Sequence, residues 1–298
     1  MLKQSTPIHQ SSINSFLNCP LNYRYRYIDG LTQESMHPAA INGSTLHKLI
    51  ERMHAGEWEL DIAKEFERVY HLYEAESVEK GIPVLYADDP EKTYAGFVKD
   101  AVGILESYRQ DENNRNAEVL LSEAHFRMAY AGHEFAGIID QVRRNTDGSI
   151  ELIDFKSNKQ PPQKHALVMD YQLLLYMLAL KHGEVLIGEE WVRLNLQVDY
   201  TSWYFLRYLL KRKRTTVNGK AGEQFGDPLF RIQRSLVDTR RARVQIKGIL
   251  RLMGTGVYPA NPHFCQICSF KQTCLGSVND MIIPTQETKT QKGMKYGT

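Results

Sequence analysis

The sequence predicts an α/β protein whose core runs helix, three strands, helix, strand around a mixed sheet, with a helical insert and a cysteine-bearing C-terminal region. Three observations carry that prediction. First, residues 135–157 form two β-rich runs around Thr146-Asp147-Gly148, a tripeptide suited to a three-residue hairpin loop with glycine at the left-handed position. Second, a strongly apolar stretch at about 166–182, after Pro161-Pro162, has helical length and carries Gln172 and Tyr176 one turn apart. Third, residues 189–199 alternate, with Val192, Leu194, Leu196 and Val198 on one face and polar residues plus Trp191 on the other. A strand reached through a helix runs parallel to a neighbour, so the sheet is mixed.

Taken in order, residues 11–18 are a short helix capped by Ser11 or Ser12, with Ile13, Phe16 and Leu17 on one stripe and Cys19-Pro20 ending it. Tyr23-Arg24-Tyr25-Arg26-Tyr27 alternates aromatic and basic residues. Such interleaving suits stacking on bases and pairing with phosphates, or three tyrosines packed on a core edge. A helix over 40–54 turns Leu46, Leu49, Ile50 and Met53 inward, with His47 beside that stripe. Amphipathic helices at about 61–80 and 94–109, separated by a Pro/Asp-rich segment at 83–90, make a helical insert or lid spanning about 55–112. Residues 117–128 are strand-like and contain Glu123. Beyond the last core strand lie a basic segment at about 203–254, with a glycine-containing loop at 218–228 and a long helix at 229–253. Residues 1–285 are expected to form one domain, and the polar residues from 286 a disordered tail.

The chain has 298 residues, 42% apolar and 24% charged, as in an ordinary globular protein. No run reaches the ~20 apolar residues of a membrane helix and no signal pattern is seen, so a cytoplasmic location without membrane contact is expected. Net charge is only +2, yet residues 207–251 hold thirteen Lys/Arg against three Asp/Glu. That imbalance suits a polyanionic partner, with Lys211 and Arg214 as candidate contacts, or an exposed basic helix face and loop. Four cysteines occur: Cys19, then Cys265, Cys268 and Cys274 spaced C-x2-C-x5-C. In a cytosolic chain metal explains them better than disulfides, and four thiolates suit structural zinc as well as a [4Fe–4S] cluster.

The hairpin carries the chemistry. Pairing residue 145 with 149 puts Asp140 opposite Asp154, and Lys156 shares the face of Asp154. Two like charges facing each other inside apolar runs destabilise a hairpin unless the face is solvated or a cation sits between them. With Glu123 and His47 nearby, the donors are mostly oxygen, favouring Mg²⁺ or Mn²⁺ over zinc. A lysine beside such an ion suits water activation and attack on a phosphodiester.

Asp140, then Asp154-Phe155-Lys156, then Gln172-x-x-x-Tyr176, resembles the PD-(D/E)XK nuclease superfamily in its RecB-like branch, with His47 in GSTLHKLIE and Glu123 fitting that branch. The nominal proline of the motif is Ile139 here. The resemblance implies a restriction-endonuclease-like αβββαβ core. It also implies metal ligation by His47, Asp140, Asp154 and the main chain of Phe155, water activation by Lys156, and support from Gln172, Tyr176 and Glu123. The cysteines look like those of iron–sulfur nucleases of the AddB and CRISPR-adaptation type, implying a structural [4Fe–4S] cluster on Cys19, Cys265, Cys268 and Cys274, with zinc as the alternative. The expected activity is exonucleolytic cleavage of single-stranded DNA or DNA ends. DNA contacts are expected from Tyr23, Arg24, Arg26, Lys211 and Arg214, and a helicase or other repair or recombination protein is the expected partner. The alternative is a non-catalytic DNA-binding or zinc-stapled adaptor module.

Overall fold

The computed structural model describes residues 7–158, 164–210, 212–214, 222–224 and 227–279. The N-terminal part is helical: α1 (Gln10–Asn18), α2 (Pro20–Tyr23), a π-helical turn (Arg24–Ile28), α3 (Pro38–His54), α4 (Ile62–Glu79), α5 (Pro90–Gln110) and α6 (Glu112–Arg115). The core follows as β1 (Glu118–Tyr130), β2 (His133–Arg144), β3 (Ile150–Lys156), α7 (Lys164–Val168), α8 (Tyr171–His182), β4 (Glu184–Ile187), β5 (Glu190–Val192) and β6 (Tyr200–Phe205). A two-stranded ribbon, β7 (Arg212–Arg214) and β8 (Gly222–Gln224), precedes β9 (Leu229–Gln233), α9 (Leu236–Met253), a 3₁₀ turn (Pro262–Ile267) and α10 (Lys271–Asn279).

Seven strands form one sheet in the order β5-β4-β1-β2-β3-β6-β9. β3 and β6, joined through α8, are parallel, while the other pairings of the described strands are antiparallel. The hairpin closes as its loop chemistry predicts: Asn145 N–H donates to Ser149 O at 2.9 Å and Gly148 has φ +83°. The β2–β3 ladder then runs from Arg144↔Ile150 to Gln141↔Ile153, so the next step sets Asp140 against Asp154.

Helices cover both faces of β3. Leu152 faces the core built with α8 and α9, where Leu173, Leu178 and Ile246 pack. Ile153 and Phe155 face a second core with Leu49 of α3, Phe66 and Tyr70 of α4, and Leu105 and Tyr108 of α5. The expected helical insert is thus one wall of the sheet. Leu173 through Leu180 are all buried, which is why α8 is apolar around its circumference.

Several expected elements fall elsewhere. The parallel partner of β3 is β6, not residues 189–199, of which only Glu190–Val192 are strand, at the far edge. Asn195 adopts φ +47° and interrupts that run, although Leu194 and Leu196 still pack on the core. Trp203, Tyr204 and Phe205 are buried sheet residues, so the basic surface expected from 203 begins only after them. Residues 229–233 are a strand, and the helix expected there begins at Leu236 behind a Ser235–Asp238 capping box. His9 rather than Ser11 or Ser12 caps α1, and Leu17 is exposed. Pro161-Pro162, Lys211, most of the 218–228 loop and the tail from 286 lie outside the described residues. Among the described residues no helix is long and apolar enough to cross a membrane.

Candidate metal centre

Three adjacent strands set three carboxylates in a row. Ser122↔Gln141 and Ala124↔Ile139 bracket Glu123 against Asp140, and Asp140 stands against Asp154. Glu123 has φ +44°, a left-handed conformation that is rare outside glycine and costs strain. The burial rhythm of β1 changes phase there, from Leu121 to Ala124, Phe126 and Met128. The kink leaves the Glu123 carboxylate beside α3, its Oε1 3.3 Å from His47 Nδ1.

His47 joins the row from the helix side. Its Nδ1 is 3.5 Å from Asp140 Oδ2, and its Nε2 is 3.1 Å from the Phe155 carbonyl. Phe155 N–H donates to Asp140 Oδ2 at 2.8 Å, so a side chain fills a main-chain acceptor's place where the two strands part. One ligand atom each from His47, Glu123 and Asp140 lie within 4.8 Å of one another. Asp154 is almost wholly buried; its Oδ2 meets Lys156 Nζ as an ion pair but receives no aligned hydrogen bond. Lys156 Nζ donates to Gln172 Oε1 at 3.1 Å, and Gln172 Nε2 donates to Tyr176 Oη at 3.1 Å. This chain aims the lysine from the first turns of α8.

The electrostatics of these buried groups leave room for more positive charge. Burial opposes a charge on His47, but Asp140, Glu123 and Asp154 outweigh it and lift its pKa to about 9. Burial and the neighbouring Asp154 raise Asp140 to about 7, against the pull of His47 and the Phe155 N–H. Burial raises Asp154 too, with Lys156 pulling the other way. Burial likewise lifts the Tyr176 phenol well above its usual range. Carboxylates driven upward by burial, and Asp140 also by its neighbour Asp154, suit a further cation. A buried oxygen without a hydrogen bond, two more carboxylates, an imidazole and a carbonyl suit a hard divalent ion such as Mg²⁺ or Mn²⁺.

The chain belongs to the PD-(D/E)XK nuclease superfamily. The superfamily model matches residues 8–275. Curated relatives include a subunit of the ATP-dependent helicase/deoxyribonuclease of Streptococcus mutans serotype c, 28% identical over 185 residues, covering 60% of this chain and 17% of that one. Its counterpart in Streptococcus pyogenes serotype M1 is 27% identical over 183 residues, covering 57% and 16%. The chain thus spans about a sixth of the length of these relatives. A solved structure from Eubacterium rectale, named as a candidate exonuclease, covers 90% of this chain and 87% of its own at 10% identity and TM-score 0.49, too distant to inform the site. This PD-(D/E)XK nuclease has the restriction-endonuclease-like arrangement of mixed sheet and flanking helices.

Segments from the start and the end of the described chain meet elsewhere: Cys19, Cys265, Cys268 and Cys274 line one small cavity with Asn22, Tyr25 and Phe264. No disulfide joins the cysteines. Asn22 Nδ2 donates to Cys268 Sγ at 3.3 Å, Asn261 N–H to Cys19 Sγ at 3.4 Å and Phe270 N–H to Cys268 Sγ at 3.4 Å. Burial and the other three thiols raise Cys274. Donors converging on Cys19 and Cys268 suit thiolates at those two positions, and four sulfurs around one cavity fit a thiolate-bound metal. Other contacts tie the same segments: Glu34 accepts from the N–H groups of Gln272 and Thr273 at 3.0 and 2.6 Å.

The expected DNA contacts fare unevenly. Tyr23 is 4% exposed, edge-on to Phe16 and stacked on Tyr27, so core packing occupies the ring expected to meet bases. Arg24 pairs with Asp29, and Arg26 lies over Tyr27 at 5.3 Å. Arg214 lies in β7. Sequence reasoning passed over Asp170, which caps α8 through Leu173 N–H and accepts from Trp203 Nε1, both at 2.9 Å. An aspartate just before an apolar helical run was its available signal.

Proposed function

We propose that this chain is a Mg²⁺- or Mn²⁺-dependent DNA nuclease that hydrolyses single strands or strand ends, with its four cysteines holding a structural [4Fe–4S] cluster. What carries the reading is one juxtaposition: Lys156, braced by Gln172 and Tyr176, beside an under-neutralised row of Glu123, Asp140 and Asp154. His47, Asp140, Asp154, Glu123 and the Phe155 carbonyl would hold a divalent ion, which would supply Lewis acidity toward a phosphoryl oxygen and lower the pKa of nearby water. Lys156 orients the attacking water and stabilises charge building on the phosphoryl oxygens. Gln172 and Tyr176 hold the lysine, and Asp170 fixes the start of the helix that carries them.

Two observations support the finer parts. All four cysteines line one small cavity, a set of sulfurs able to hold a cluster. The relatives carry helicase in their names, which favours a helicase or other repair or recombination protein as partner.

The test is anaerobic purification with iron and zinc analysis, then incubation with end-labelled single- and double-stranded DNA in Mg²⁺ or Mn²⁺. About four irons per chain and metal-dependent cleavage are expected. Zinc without iron would replace the cluster, and DNA left intact at every metal concentration would leave only a binding module.

A further inference from the structure

The face of β1 that leads away from Glu123 continues past the metal centre. His125 and Arg127 are paired with Ile138 and Ala136 of β2, Arg127 also with Glu184 of β4, and Leu186 of β4 with Trp191 of β5. Their neighbours Phe126 and Val185 are buried in the core beneath α8. By alternation, His125, Arg127, Ile138 and Trp191 face the other side. There α3, α4 and α5 cover Ile153, Phe155 and Tyr204 of the central strands. Toward the β5 edge the face is bare: Ile138 is 40% exposed and Trp191 38%.

This face is continuous with a cleft that reaches one side of the candidate metal centre. The cleft, of ≈ 640 Å³, holds His47 and Glu123, and His125 and Ile138 already form part of its wall. At its outer end the Arg127 guanidinium lies 4.5 Å from the centre of the Trp191 ring and is held by Glu184 at 2.7 Å. The core makes no use of this indole. Leu186, and with it Trp191, stands level with His125, so two residues at ~3.3 Å along β1 and two strand spacings of ~4.8 Å place Trp191 roughly 12 Å from Glu123. That is about three to four stacked nucleotides at ~3.4 Å each.

The geometry points to a nucleobase subsite on this open sheet face: single-stranded DNA leaving the metal centre stacks a base on Trp191, with Arg127 against the adjoining phosphate. Exposed aromatics take any base, but only one whose faces are free, so the subsite selects unpaired strands. The inference rests on the nuclease reading and adds to it the path of the strand and the source of a single-strand preference.

Metal-free protein titrated with oligothymidylates tests it. Of the three tryptophans, Trp203 is buried and Trp58 half-buried, so a 12-mer is expected to quench chiefly Trp191. Trp191→Ala should lose most of that quench and weaken 12-mer binding about tenfold; Trp191→Phe should restore part of the affinity. The deficit should vanish with two-nucleotide ligands, too short to run from the metal centre to the platform, a length dependence that a general structural defect does not produce. Arg127→Gln should weaken the 12-mer several-fold and flatten its salt dependence. Equal affinity and equal quench in Trp191→Ala and wild type would overturn the subsite. The readout is independent of cleavage: a wild type that cuts DNA while Trp191→Ala binds normally sinks only the subsite, and one that quenches on DNA but never cuts sinks only the nuclease reading.

Discussion

Glu151 and Asp154 lie three residues apart on β3, both buried, and the protein treats them in opposite ways. Glu151 is 0% exposed and accepts from Arg143, from Arg231 and from the Ser202 hydroxyl. Burial would raise its pKa, but those partners outweigh burial and hold it below the usual carboxylate range. Asp154 has one lysine, stands beside Asp140, and both are driven upward. A buried carboxylate with its full complement of donors is a structural tie between strands. A row of carboxylates left short of cations, on a kinked strand, is a place kept for an ion.

The sharpest way to separate the two regions is to disable each. If the lysine acts at the reacting atoms as proposed, Lys156→Ala should lower cleavage at least about a thousandfold while DNA binding and thermal unfolding stay near wild type. Cleavage assayed alongside anisotropy binding checks this, and wild-type cutting would refute the role. Glu151→Gln should do the reverse, destabilising the protein by about 3 kcal/mol in denaturant unfolding, because Arg143 stays buried without its counter-charge. Any residual folded fraction should still bind metal.

Asp140→Asn draws the contrast more finely. The amide oxygen still accepts from Phe155 N–H, but one unneutralised charge disappears. Metal affinity should collapse, while the metal-free protein gains about 1 kcal/mol near pH 8. The pH signatures should also differ in sign. The stabilising contribution of His47 is complete below its ordinary pKa of 6.5 and is lost as pH rises through about 9. That of Asp140 is lost as pH rises through about 7. Metal-free protein should therefore weaken between pH 6 and 9, and saturating Mn²⁺ should reverse the trend. Glu151, with its pKa depressed, contributes stability above its ordinary value and loses it as pH falls. Melting curves across pH with and without Mn²⁺ would separate these slopes. The smallest effect expected is for Tyr176→Phe, a few-fold fall in kcat, since it only steadies Gln172.

Much of the carboxylate row was legible because one loop sets it. Thr146-Asp147-Gly148 determines the hairpin register, and register by counting places Asp140 against Asp154. The amphipathic helices were legible for the same reason, a period that follows from geometry. Glu123's left-handed turn was not, since nothing in LLSEAHF marks a change of phase and only contact with α3 explains it. β6 was missed because a strand covered on both faces has no alternation, while residues 189–199 alternate convincingly yet are broken at Asn195. Pairing partners, not local pattern, decided between those two. Tyr23 illustrates the same limit: an aromatic–basic sequence looks alike whether its rings meet bases or one another.

If the carboxylate row is a cation site in deficit, filling it must move protons. Calorimetric titration of the metal-free protein with Mn²⁺ at pH 7.5, in two buffers of different ionisation enthalpy, reads that movement. Binding should release protons, because His47 must give up its proton and Asp140 must ionise fully, and Asp140→Asn should abolish the binding. Binding without proton release, or binding that survives Asp140→Asn undiminished, would show that the row is not short of charge.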